Sequence, residues 1–198
     1  MPKVIGFDPV DLGFGGMKNY SGSDNNIVLA DVKDGDYPTI LQSFRYLRLE
    51  IDVTSYVEVN DLRFITGITR YPTVNMTSNT APSPLVASAS DVHYSGAAGG
   101  FPQFDAWNAF DGSAATRYHS NSSSAGHWIQ IDLGAGNQIR PASLAMTVTS
   151  GSGDRRPRGL IVKGSNTGAF SGEDETLYTS ASGIESEFTY GVETVLVF

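Results

Sequence analysis

The sequence contains three histidines, His93, His119 and His127, and they bound the chemistry it can perform. No two of them stand in the His-x-x-x-His arrangement that points two imidazoles at zinc from one helix face. There is no cysteine, so neither a disulfide framework nor a thiolate metal site can form. No Gly-x-Ser-x-Gly nucleophile elbow occurs. Carboxylates are plentiful, but none can be paired from sequence as the acid and base of glycoside hydrolysis. The run Glu173-Asp174-Glu175 reads as a solvated turn. These absences predict a protein that is not an enzyme. Asn19, Asn75 and Asn121 each open an Asn-x-Ser/Thr sequon, which matters only in a eukaryotic secretory pathway.

The elements that must hold any such groups fit into 198 residues, the size of one large domain or of one domain with a substantial arm. Hydrophobic residues make up 40% and aromatics 11%, enough to build a core. The net charge is −8, and the 13 basic residues are scattered apart from Arg45/Arg48 and Arg155/Arg156/Arg158. A nucleic-acid partner would need a basic face, so none is expected. No run of about 18 apolar residues occurs, so no membrane insertion is expected. The opening Met1-Pro2-Lys3-Val4-Ile5-Gly6 lacks the apolar core of a secretion signal.

Helical periodicity is poor, while 22 glycines and 9 prolines punctuate short β-branched runs. That spacing predicts an all-β antiparallel sandwich. Residues 1–43 read as an N-terminal arm, either a flexible tail or an ordered segment packed on a neighbour. Phe7, Phe14, Tyr20 and Tyr37 are costly to leave in water. Phe44–Val53 and Val57–Phe64 alternate as half-buried strands do and predict an antiparallel hairpin. Residues 70–105 are loop-rich, and Thr73–Ala89 suits an extended edge segment. Strands are expected at Trp128–Leu133, Ser143–Thr149, Gly159–Gly164, Glu175–Thr179 and Glu193–Phe198.

Three motifs carry a resemblance. The run from Ala106 to Ser120, with Ala109-Phe110-Asp111-Gly112 at its centre, is similar to a discoidin-type pattern in which Trp usually stands at Tyr118. His127-Trp128-Ile129-Gln130-Ile131-Asp132-Leu133-Gly134 follows. Arg156-Pro157-Arg158-Gly159 through Gly164-Ser165-Asn166-Thr167-Gly168-Ala169-Phe170 comes third. In this order and spacing the chain resembles the discoidin, or coagulation-factor type C, galactose-binding-like family. The resemblance implies a jelly-roll sandwich in which Phe110 plugs the core, with Gly134, Gly136, Asn166 and Gly168 serving turns. Small secreted animal members often carry a disulfide, which this chain cannot; that favours an intracellularly assembled protein and leaves a secreted bacterial one open.

The family's terminal strand pair is not found after Thr194-Val195-Leu196-Val197-Phe198, yet Phe44–Leu49 and Val57–Phe64 look like it. Residues 44–198 would then be the sandwich, with 44–66 supplying the terminal hairpin. Three explanations stand: a circular permutation, a strand exchange with a neighbouring subunit, or a separate truncated domain.

The resemblance also implies sites. Many members bind a structural Ca²⁺ near the Asp-Gly loop. Asp111 matches its first acid, Asp61 falls where the second stands, and Thr116 would add an oxygen. The alternative is that Asp111 only caps its own turn. Members bind carbohydrate through loops at one end, where rings stack on sugar C–H surfaces and polar groups fix hydroxyls. His93, Tyr94, Trp107, Tyr118, His119, Asn121 and Arg155 lie in or beside such loops. Trp107 and Tyr118 read equally as packing residues.

Two functions follow as expectations. One is a structural module of a large assembly, a virion protein of capsid-decoration, tail or fibre type, located on the particle. It would associate with itself or with other virion proteins through the arm. The other is a free extracellular carbohydrate-binding adhesion module that recognises a cell-surface glycan.

Overall fold

Leu47, Leu49 and Ile51 alternate with Arg48, Glu50 and Asp52, and the strand they form, β1 (Tyr46–Asp52), buries the first set almost completely. The computed structural model that shows this describes residues 41–53, 55–93, 104–123, 126–149 and 154–198. All but the last three residues of the 1–43 arm lie outside the described residues, as does Tyr94.

Nine further strands follow: β2 (Glu58–Thr66), β3 (Thr69–Tyr71), β4 (Val86–Ala89), β5 (Tyr118–His119), β6 (His127–Asp132), β7 (Ser143–Val148), β8 (Gly159–Ser165), β9 (Glu175–Thr179) and β10 (Glu193–Val197). They make two antiparallel five-stranded sheets. The first runs β4-β6-β1-β8-β9; the second runs β10-β7-β2-β3, with β5 also paired to β2. The protein is an all-β sandwich of galactose-binding-like form. The only helices among the described elements are short 3₁₀ turns at Ala106–Phe110 and Ile184–Glu187.

The expected hairpin of residues 44–66 is not one. β1 lies between β6 and β8 in the first sheet, and β2 lies beside β7 in the second. The two strands alternate alike because each must bury one face in the same core, one from either side. Their connection therefore crosses the core edge instead of turning within a sheet. Both strands pair with later strands of the same chain, Leu49 facing Ile129 on one side and Val162 on the other. β1 is the middle strand of its sheet, so without it the sheet would split and expose two edges.

The core is filled by Phe44, Leu47, Leu49, Leu62, Phe64, Phe110, Ile129, Ile131, Leu144 and Val162, all without exposure. Burying each such side chain contributes about 1.5–3 kcal/mol. Phe110 plugs the core as expected, and Gly112 turns the chain after it at φ +70°. Trp128 does not enter the core. Its ring flanks the Arg48 guanidinium on the outer face at 4.2 Å, and Phe170 flanks the same group at 3.9 Å. Asn166 does not take a positive φ; Gly168 and Phe170 do. The Asn166 amide instead accepts from the Arg45 N–H and donates to the Ser43 carbonyl, each at 3.0 Å.

Candidate functional site

β2 and β5 pair at one end of the second sheet, with Glu58 opposite His119. That register sets a carboxylate and an imidazole side by side. The chain returns to the same place after the 150–153 segment and adds Arg155. The Arg155 Nη1 donates to Glu58 Oε1 and lies 2.8 Å from His119 Nε2. Glu58 Oε1 is 2.9 Å from the same His119 nitrogen, and Arg117 Nε is 3.3 Å from Glu58 Oε2. Glu58, His119 and Arg155 are 2%, 7% and 7% exposed, so this is a buried charge cluster rather than a surface pair.

The His119 ring is held from both sides by its partners. Nδ1 sits 2.6 Å from the Ser120 carbonyl, which can only accept, so Nδ1 carries the proton. The other nitrogen, Nε2, faces both Arg155 Nη1 and Glu58 Oε1. Burial pushes the Glu58 carboxyl up. The His119 hydrogen bond and the Arg117 and Arg155 charges outweigh that effect and hold it below the ordinary carboxylate value.

Aromatic rings surround the cluster. His93 lies over His119 at 4.5 Å between ring centres; Tyr56 and Phe104 each stand 5.3 Å from His119. Arg155 faces the Tyr56 ring at 5.5 Å, and Arg117 faces Phe104 at 5.2 Å. Tyr56, His93 and Phe104 are only partly buried. They stand around the buried charges and keep part of their own surface accessible. Burial, together with the nearby His119 and Arg155 charges, holds His93 below its ordinary value, although Glu58 and a hydrogen bond with Asn121 pull the other way.

The structure thus brings His93, His119, Asn121 and Arg155 together. Tyr118 does not join them as a platform. It is fully buried, and its hydroxyl donates to the Asp91 carbonyl at 3.0 Å, so its ring has no open face. Trp107 packs against the core from its 3₁₀ turn, with its backbone N–H on Asn79 Oδ1 at 3.1 Å. Glu58, Tyr56, Phe104 and Arg117 are the members that sequence reasoning missed. The sequence signal for Glu58 was only an isolated acid in an alternating strand.

Of the three residues expected around Ca²⁺, Asp111 and Thr116 are bonded to each other, and Asp61 is bonded to Arg63. Asp111 accepts the Ser113 N–H at 2.8 Å and the Thr116 hydroxyl at 2.5 Å. Asp61 accepts from Arg63 Nε at 3.0 Å.

A sandwich with a charged, ring-lined cluster at one end is the setting in which the comparisons fall. Residues 108–196 match the F5/F8 type C family model described as a NedA-like, galactose-binding domain. The match begins just before the Asp111-Gly112 turn and runs through β5 to β9 into β10, while β1 to β4 precede it. It speaks to a galactose-binding-like domain and carries no virion role. No curated protein and no solved structure matches the chain.

Proposed function

We propose that the chain is a non-catalytic carbohydrate-binding module whose ligand is a galactose-type sugar seated on the Glu58–His119–Arg155 cluster. The observation that carries this is the buried Glu58 carboxylate, held ionised by Arg155 and Arg117 beneath exposed ring edges. A fixed carboxylate beside a fixed guanidinium offers an acceptor and a fork of donors to neighbouring sugar hydroxyls. The Tyr56 and Phe104 rings would take the apolar C–H face that an axial C4 hydroxyl leaves open. Domains of the matched type are binding modules, and the Glu58 carboxylate is held by Arg155 and Arg117 rather than set against a nucleophile. The galactose preference is drawn from the family description and the cluster chemistry together.

Isothermal titration calorimetry with galactose and lactose, against glucose and maltose, tests this reading. Saturable binding of the galactosides is expected, with loss in Glu58→Gln and in Arg155→Gln. Absence of binding to any member of a broad glycan array would overturn it.

A further inference from the structure

We propose that Asn60 and Arg63 take the place of a structural divalent cation at the Asp111-Gly112 turn, Asn60 bonding the loop and Arg63 packing its charge beside Gly112, so that no metal is needed there. The proposal is independent of the sugar-binding reading.

A calcium ion needs six to eight oxygens converging at about 2.3–2.6 Å. The backbone and carboxylate oxygens that such a site would use here are already engaged by other donors. Asn60 Nδ2 donates to the carbonyls of Ala114 and Thr116 at 3.1 and 2.9 Å. The Arg63 guanidinium donates to Asp61 Oδ1 at 3.0 Å, to the Pro72 carbonyl at 3.0 Å and to Asn75 Oδ1 at 2.9 Å. Asp111 closes on its own loop through Ser113 and Thr116. The guanidinium is also seated at the turn itself: a Cβ built on Gly112 would come 3.0 Å from Arg63 Nη2 and 2.8 Å from Asn75 Nδ2. Arg63 is 6% exposed, so its charge is poorly screened, and a second cation beside it would be repelled strongly.

The backbone explains why two nearby residues of β2 reach this turn. The pairing of β2 with β7 shifts register between Val59 and Asp61, which leaves Asn60 as the extra residue of a bulge. A guanidinium fork is suited to the task because its N–H groups diverge in a plane and hold several acceptors at once.

Thermal unfolding of the full chain, stripped with EDTA and then titrated with CaCl₂, tests the proposal, together with native mass spectrometry in calcium. The wild-type melting temperature is expected to be the same in both buffers, with no bound ion in the mass spectrum. Saturable stabilisation of the wild type by calcium, or a stoichiometric calcium adduct, would overturn it. Arg63→Gln is expected to melt roughly 5–10 °C lower in either buffer. A folded Arg63→Gln that melts as the wild type does would equally overturn it.

Discussion

Arg155 meets Glu58 across 97 residues of sequence, and the pair is buried on both sides, at 8% and 3% side-chain exposure. A charge pair so placed does not stabilise merely by existing, since removing both charges from water costs several kcal/mol. Breaking it from one side is a different matter. Glu58→Gln would leave the Arg155 and Arg117 charges facing each other and lower stability by about 3 kcal/mol. Denaturant unfolding checks this. In the Glu58→Gln/Arg155→Met double variant part of the loss should return, and a double variant no more stable than the single would refute the coupling.

The rim should behave in the opposite way from the floor. Phe104 and Tyr56 are only partly buried, and Phe104 lies edge-on to His93 with ring centres 5.5 Å apart. Phe104→Ala is expected to reduce galactoside affinity about tenfold, the worth of one stacking contact. Its melting temperature should move by no more than about 2 °C. Titration calorimetry and a melting curve on the same sample separate the two. A large melting shift without an affinity change would make Phe104 a packing residue.

Acid should weaken the site in two stages. His93 is depressed in the folded state from its ordinary 6.5, so the folded chain prefers it neutral. Stability from this preference is complete above pH 6.5 and is lost as pH falls from there through the folded value. Glu58 is depressed from 4.5, so its contribution is present above that pH and is lost only as pH falls below it. Melting temperature and sugar affinity measured in steps from pH 8 to 3 should therefore decline first below about 6.5 and again below about 4.5. His93→Gln should remove the first decline alone. A single decline in both proteins would contradict the assignment.

The sequence shows much of this architecture and hides the rest for identifiable reasons. β6 to β10 were legible because each is a short apolar run closed by a turn, as at Leu133-Gly134 and Ser165-Asn166. The cluster was only half legible. Val57 and Val59 are buried at odd positions, whereas Leu62 and Phe64 are buried at even ones. That change of parity is the bulge at Asn60, and reading through it as one continuous alternation concealed what the outward face does. Glu58 and Arg63 both stand on that face, and loops distant in sequence cover them. No local pattern predicts such covering, so neither stood out as a buried charge. The pairing of β1 with β6 and β8 shows the same limit, since alternation tells that a strand has a buried face but not which sheet supplies its neighbours.

Two glycine substitutions should separate crowding from backbone strain. Gly164 lies in β8 at an ordinary strand conformation, yet a Cβ there would stand 2.3 Å from Phe44 Cγ. Phe44 cannot retreat, because it has no exposure and its backbone is bonded both ways to Ile139, at 2.8 and 3.0 Å. Gly164→Ala is therefore expected to cost about 3 kcal/mol through overpacking. Gly136 presents the reverse case, with φ at +80° and nothing within 4 Å of the added carbon. Gly136→Ala should cost only the left-handed backbone penalty of about 1 kcal/mol. Phe44→Leu should restore part of the stability lost in Gly164→Ala and none of that lost in Gly136→Ala. Equal losses in the two alanine variants, measured by urea unfolding, would show that Phe44 does not press on β8.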